Sequence, residues 1–323
     1  MNTSILVTGG CGFIGTWVLK DLLNRGMRAV VLDAGTVPPR WHRILGPNAD
    51  RVPLIQGSLL DRDRLRRVFE DHAITHVIHL AALLTPACQQ DPWLGCQVNV
   101  LGTVGLFEEA RRCAGRVRGI SYASSVAVYG DEPDQAQAGS VSNSENRPET
   151  FYGTFKKAAE WIAHQYWKHH QLSSVGIRPQ VAYGPERDQG MTAGPSLAAR
   201  AAAEGGAFTI PYTGRIGYDY AEDVARSFVR AALEAPPGAH VVDLESTLAD
   251  VDDILAAILA AEPGAASRIH IQGSPLPAFP PPIPNPISTL FPDWETTPLI
   301  EGIRRTVEFY RESSPRNPES RLA

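Results

Sequence analysis

The sequence predicts an α/β fold, a doubly wound parallel sheet followed by a smaller C-terminal region. Three observations predict it: short aliphatic runs alternate with amphipathic stretches, a glycine-rich turn joins the first such pair, and an acid closes the second run. Ile5, Leu6 and Val7 have no helical period and read as a buried strand. From Phe13 onward the apolar residues Phe13, Ile14, Trp17, Val18 and Leu22 fall at helical spacing. "RAVVLDAG" is a second strand ending at Asp33, and "RVPLIQG" a third ending at Gly57. Asp61 to His72 reads as an amphipathic helix, and "THVIHLAA" as a fourth strand ending near Ala82. "GISYASS" from Gly119 and "SSVGIRPQ" give the fifth and sixth strands, and the polar stretch Asp131 to Thr150 between them reads as a surface loop. Beyond Pro185, helices are expected near Ser196 to Glu204 and Ala221 to Leu233. The segment Ser274 to Pro298 carries too many prolines for regular structure. Leu276, Phe279, Ile283, Ile287, Leu290, Phe291 and Trp294 are interleaved with them, which favours a packed cover over a free linker. "LIEGIRRTVEFYRE" closes the chain as an amphipathic helix.

A chain of 323 residues, 43% hydrophobic and 20% charged, can bury a substantial core. Its formal net charge of -5, without Lys/Arg runs, argues against nucleic acid and anionic membranes as partners. No apolar stretch is long enough to span a bilayer and no leader is legible, so a cytoplasmic location is expected. Cys11, Cys88, Cys96 and Cys113 show no C-x-x-C pair, which supports neither a disulfide framework nor structural zinc. In "HQYWKHH" the rings of His164, His169 and His170 are not spaced i, i+4, so no metal is expected.

In "TGGCGFIG" the spaced glycines are Gly9, Gly12 and Gly15. The first lets the chain turn after the strand and the second lets a phosphate approach the backbone. The third lets the helix pack close to the sheet, with the positive helix N-terminus facing a pyrophosphate. Asp33 ends the next strand roughly 20 residues on, where a carboxylate accepts both ribose hydroxyls and repels a 2′-phosphate. This pattern points to a Rossmann dinucleotide site that prefers NAD to NADP. Tyr152 and Lys156 stand four apart on a helical segment and share one face. A neighbouring ammonium and a bound nicotinamide cation both favour the phenolate, which suits proton transfer at a substrate hydroxyl.

The ordered motifs "TGGCGFIG", "HLAA", "NVLGT", "SSVAVYG", "YGTFK", "RPQVAYGP" and "YAEDVA" cover about the first two thirds of the chain. In them the sequence resembles the extended short-chain dehydrogenase/reductase family, also known as the NAD-dependent epimerase/dehydratase family. The resemblance implies catalytic Ser125, Tyr152 and Lys156: the serine bonds the reacting oxygen and the lysine holds the nicotinamide ribose. It also implies cofactor contacts from Gly9, Gly12, Phe13, Ile14, Gly15, Asp33, Ser58, Leu59, Leu80, Ala81, Ala82 and Asn99. Tyr152 and Lys156 themselves, with Pro179 and Val181, would complete that set. Ser124 and Lys157 are expected to tolerate substitution better than their catalytic neighbours. Helices carrying Asn99 to Arg112 and Tyr152 to Trp167 typically pair in this family, which implies a homodimer.

The chain departs from the family in places that bear on substrate. Gly57-Ser58 replaces Gly-Asp at the adenine position, so Ser58 makes at most a weaker contact. Val126 and Ala127 follow Ser125 where dehydratases carry Asp-Glu, which argues against dehydration. Val181 stands where nucleotide-sugar epimerases carry Asn, and "GRIGYDYAEDVA" lacks their Arg-Asp-Phe run, which weakens the case for a large nucleotide-linked substrate. Arg187 and Arg215 could clamp an anion, with Thr85, Ser125, Val126, Gln180 and Thr192 as further polar or lining contacts.

The expected organisation is an NAD-binding domain over 1–176, with a return segment at about 215–245, and a substrate-binding region over 177–214 and 246–323. The leading functional expectation is an NAD-dependent oxidoreductase acting at a secondary alcohol or hemiacetal carbon of a small sugar, sugar acid, polyol or hydroxy acid. The alternatives are a sugar epimerase working through a transient ketone on tightly bound NAD, and a non-catalytic NAD-binding sensor or scaffold.

Overall fold

A computed structural model describes residues 3–113, 115–130, 148–276 and 285–313. In chain order it contains β1 (Ser4–Thr8), α1 (Phe13–Asn24), β2 (Arg28–Asp33), α2 (Pro39–Leu45), β3 (Leu54–Gln56), α3 (Arg62–Asp71), β4 (His76–His79), α4 (Thr85–Gln90), α5 (Pro92–Cys96) and α6 (Gly102–Arg112). There follow β5 (Gly119–Ala123), α7 (Phe151–His170), β6 (Ser174–Arg178), β7 (Val181–Tyr183), α8 (Gly194–Glu204), β8 (Phe208–Ile210), β9 (Arg215–Tyr220) and α9 (Ala221–Glu234). The chain closes with β10 (Ala239–Asp243), β11 (Thr247–Asp250), α10 (Val251–Ala261), β12 (Ile269–Ile271) and α11 (Leu299–Ser313).

The chain divides into two compact units. The first, Met1–Gln180, Glu222–Glu245 and Phe279–Trp294, is built on a seven-stranded sheet of order β10-β6-β5-β4-β1-β2-β3. Its neighbours all pair in parallel. Strand order reverses between β1 and β4, and a doubly wound sheet opens its ligand crevice at that switch point, beyond the strands' carboxyl ends. β1 is buried throughout, as a strand covered on both faces must be. One face packs Leu6, Leu32 and Val77 against Leu65 and Phe69 of α3 and Leu106 and Phe107 of α6. The predicted helix from Asp61 forms because the Asp61 carboxylate caps it, accepting the Arg64 N–H at 3.0 Å.

The second unit, Val181–Ala221, Ser246–Ala278 and Glu295–Ala323, holds the three-stranded sheet β11-β9-β7 and the parallel pair β12-β8. Its core gathers Tyr183, Tyr218, Ile254, Ile258, Ile303 and Val307.

The boundaries differ from the sequence expectation in two places. β9 bonds β7 and β11 rather than the large sheet, so the return into the first unit starts at Glu222, not near residue 215. The end of the proline-rich segment belongs to the first unit: Ile287, Phe291 and Trp294 are buried, and the Arg230 and Arg226 guanidinium groups lie 4.5 Å from the Phe291 and Trp294 rings. Phe279, Ile283 and residues 131–147 of the expected surface loop lie outside the described residues. β4 stops at His79, so the predicted strand extension to Ala82 is a loop. His164, His169 and His170 are exposed on the last turns of α7. Among the described residues no group of three His, Cys, Asp or Glu could hold a metal, and no helix is long and apolar enough to cross a membrane.

Candidate active site

The glycine loop runs from the end of β1 into α1. Gly9 has φ +74°, and a Cβ there would stand 2.6 Å from the Ala81 amide nitrogen. At Gly15 a Cβ would collide with the Gly9 carbonyl oxygen. Gly12 differs: a Cβ would meet only the Gly9 carbonyl oxygen, at 3.2 Å. Gly12 is also the N-cap of α1, and no side chain caps that helix. A helix that starts on a glycine, followed here by Phe13 and Ile14, is the kind of N-terminus a phosphate can approach closely. Sequence spacing missed Gly10, whose Cβ would press on Val31 at 2.7 Å, and Trp41, whose buried indole Nε1 donates to the Gly10 carbonyl at 3.1 Å. Trp41 has no motif of its own; only its contact reveals it.

Asp33 turns its carboxylate onto this loop. Oδ2 accepts the Cys11 N–H at 2.9 Å and Oδ1 the Gly35 N–H at 2.8 Å. Burial and this carboxylate push the Cys11 thiol up to about 12, which keeps it protonated. Ser58 is exposed, and its hydroxyl accepts the Leu60 N–H at 3.1 Å. The Leu59 side chain packs in the core against Gly102 at the start of α6.

The Leu80 to Ala82 loop is held from two sides. His79, buried at the end of β4, has Nδ1 2.7 Å from the Thr8 hydroxyl and Nε2 3.0 Å from the Thr103 hydroxyl. The Thr103 hydrogen is committed to the Asn99 carbonyl at 2.7 Å, so Nε2 donates and Nδ1 accepts. Burial and the Lys156 cation push His79 down to about 3, so it is neutral. The Ala81 N–H reaches the Thr8 hydroxyl at 3.4 Å. Asn99 sits in a π-helical turn, Gln97–Leu101, a distortion that often marks functional sites. Its Oδ1 accepts the Leu83 N–H at 2.8 Å and its Nδ2 donates to the Leu83 carbonyl at 2.9 Å. Asn99 thus acts on the loop through Leu83.

Ser125, Tyr152 and Lys156 come together. Thr150 caps α7 through the Gly153 N–H at 3.0 Å, and the first turns of the helix carry Tyr152 and Lys156. The Ser125 Oγ accepts the Ala127 N–H at 3.1 Å and lies near enough to the Tyr152 hydroxyl to favour its phenolate. Lys156 Nζ donates to the Ala123 carbonyl at 2.7 Å and lies 5.5 Å from the Tyr152 ring centroid. Burial pushes Tyr152 up to about 12, against the lowering effect of Ser125, and pushes Lys156 down to about 8. Burial therefore favours the neutral form of both, and a cation placed beside them would favour the phenolate.

Ser124 is not an idle neighbour. It is buried and donates to Glu160 Oε1 at 2.6 Å. Glu160 also accepts Arg178 Nε at 2.7 Å and Nη2 at 2.8 Å, and Lys157 Nζ at 3.0 Å. Arg178 further donates to the Tyr129 hydroxyl, which donates to Asp243 at 2.9 Å. Of this network Ser124, Tyr129, Lys157 and Arg178 were named or lay in motifs in the sequence, whereas Glu160 and Asp243, which tie them together, carried no signal.

The remaining expected contacts divide between the units. Thr85 starts α4 and is half-buried, Val126 is buried, and Pro179 and Gln180 are half-buried in the first unit. Val181 packs its side chain into the core of the second unit. There Arg187 donates to the Thr192 hydroxyl at 2.7 Å and to the Ala182 carbonyl, and burial pushes it down to about 10. Arg215 is exposed and pairs with Asp250 at 3.1 Å.

Comparison with known proteins agrees with this geometry. Curated relatives include UDP-glucose 4-epimerases of Neisseria meningitidis, 36% identical over 169 residues (49% of this chain, 47% of the relative), and Erwinia amylovora, 37% over 180 residues (54% and 52%). These alignments span about half the length of the relatives. A solved structure of Thermus thermophilus UDP-glucose 4-epimerase in complex with NAD superposes with a TM-score of 0.77 at 26% identity, covering 97% of this chain and all of that one. The family match itself runs over residues 5–242, from β1 through the glycine cradle, Asp33, and the Ser125, Tyr152 and Lys156 cluster to β10: the chain belongs to the NAD dependent epimerase/dehydratase family.

Proposed function

We propose that this protein is a sugar epimerase that inverts a carbinol centre through a transient ketone on bound NAD. The observation that carries this reading is the buried cluster in which Lys156, held on the Ala123 carbonyl at 2.7 Å, stands 5.5 Å from the Tyr152 ring with Ser125 beside the tyrosine hydroxyl, in a chain whose curated relatives are sugar-nucleotide 4-epimerases. Gly12 and the start of α1 would hold the pyrophosphate, Asp33 the adenosine ribose, and Lys156 the nicotinamide ribose. When bound, NAD supplies a reversible hydride acceptor. Tyr152 takes the substrate hydroxyl proton as the carbonyl forms and returns it after the ketone has presented its other face. Ser125 donates its single hydrogen to the phenolate before substrate binds and to the reacting oxygen once it is there, and Lys156 offsets the negative charge. An epimerase needs this one relay for both half-reactions, because the second reverses the first.

A net dehydrogenase of a smaller sugar or polyol is the second reading. It is favoured by Val181 in the second unit's core and by Arg215 engaged with Asp250, which leave two expected diphosphate-holding positions without that chemistry. Proton NMR of the protein with NAD and UDP-glucose, UDP-galactose or their N-acetyl counterparts, beside NADH absorbance on free sugars and polyols, separates the two. The expected result is an epimer signal at constant NADH. NADH accumulation, lost in Tyr152→Phe, would replace the epimerase reading with the dehydrogenase one.

We also propose a homodimer. Trp93, Leu101 and Trp161 expose 75%, 56% and 59% of their surface on α5, the π-helical turn and α7, an apolar set that a lone chain leaves in water. Light scattering is expected to give twice the 35.0 kDa chain mass, and a mass of one chain would refute the dimer.

A further inference from the structure

Tyr152, Lys156 and Glu160 stand at i, i+4 and i+8 on α7 and share one face. They face three consecutive residues at and just after the end of β5: Lys156 donates to the Ala123 carbonyl at 2.7 Å, Glu160 accepts the Ser124 hydroxyl at 2.6 Å, and the Tyr152 hydroxyl lies beside Ser125. We propose that Ser124 and Glu160 are a positioning pair that fixes the Ser125 hydroxyl against Tyr152. This rests on the reading of Ser125, Tyr152 and Lys156 as a proton relay.

Ser125 and Tyr152 arise from different elements, so their contact depends on how the segment after β5 is seated on α7. The backbone of that segment is pinned to β6, with the Ser124 N–H on the Ile177 carbonyl at 2.8 Å and the Val126 N–H on the Pro179 carbonyl at 3.3 Å. The Ser124 side chain ties it to α7. At 2% exposure Ser124 is sealed from any ligand, so its influence on the reaction is indirect. Glu160 makes a fixed anchor because Arg178 of β6 grips it through two nitrogens and Lys157 through a third, with Tyr122 and Asp243 close to its field. Around Tyr152 the corresponding groups are Ser125, Lys156 and the Cys88 thiol of α4. Losing the Ser124 hydroxyl leaves the Arg178 to Glu160 pair whole and orphans no charge, so Ser124→Ala isolates positioning from gross destabilisation.

The readout is the 13Cζ resonance of Tyr152 in NAD-loaded protein with labelled tyrosine, identified by its loss in Tyr152→Phe and followed against pH. Ser125 stabilises the phenolate, so a displaced Ser125 raises the midpoint. Ser124→Ala is expected to raise it by about half a pH unit or more. Ser125→Ala should raise it at least as far, and the double variant no further than Ser125→Ala alone, because Ser124 acts through Ser125. Ser124→Cys keeps a weak donor and should fall between wild type and Ser124→Ala, which covers the case of a poorly folded alanine variant. A lower melting temperature with an unmoved midpoint, or shifts that add in the double variant, would overturn the positioning role. An unmoved midpoint in Ser125→Ala would instead overturn the relay itself.

Discussion

Tyr152→Phe is expected to lower turnover by roughly a hundredfold to ten-thousandfold while NAD binding persists, the scale of losing a positioned acid/base. The reason is local. The ring remains to fill the space beside Lys156, and Gly12 and Asp33, the residues proposed to hold NAD, lie on other segments. Only the oxygen that exchanges the substrate proton is lost. Isothermal titration of NAD beside single-turnover kinetics checks both halves. Full turnover in the variant would assign the proton transfer to another group, and lost NAD binding would mean that the hydroxyl holds the cofactor.

Arg178→Ala is expected to destabilise the fold by about 3 kcal/mol, because it takes the shared cation from the buried Asp243 and leaves the buried Glu160 with Lys157 alone. Arg178 is the cation common to both carboxylates. Its guanidinium is 8% exposed, so solvent screens the pair little. Removing it also takes a donor from Tyr129 and loosens the turn that follows Ser125. Arg215→Ala is the comparison: its pair with Asp250 is 57% and 44% exposed, and exposed pairs contribute about 0–1 kcal/mol. Thermal unfolding of both variants is expected to show a large fall in melting temperature for Arg178→Ala and almost none for Arg215→Ala. Equal, small shifts would mean that the buried network contributes little to holding the segment.

Much of the fold was legible because its signals are local. The strands before Gly9 and Asp33, the cap at Asp61 and the amphipathic helix at the end of the chain each declare themselves within a short window. The same holds for Tyr152 and Lys156, which one helical turn brings together. What could not be read depends on partners far away in sequence. Ser124 looks like a spare serine beside Ser125 until Glu160, 36 residues on, is found against it. Tyr129 meets Asp243 across 114 residues, and Trp41 meets Gly10 across 31. The edge of the first unit was misplaced because a strand's own residues do not say which sheet it joins, and β9 pairs with β7 and β11.

The hydrogen bonds around His79 form a circuit in which every proton is spoken for. The Thr8 hydrogen goes to Nδ1, the Nε2 hydrogen to Thr103, and the Thr103 hydrogen to the Asn99 carbonyl. One more proton on the ring would set Nδ1–H against the Thr8 hydroxyl hydrogen, and in a buried site such a conflict is costly to relieve. The circuit therefore behaves as a latch with a single closed setting. Mild acid leaves it shut, because His79 is held neutral down to about 3, and the Leu80 to Ala82 loop beside it keeps one shape across that range.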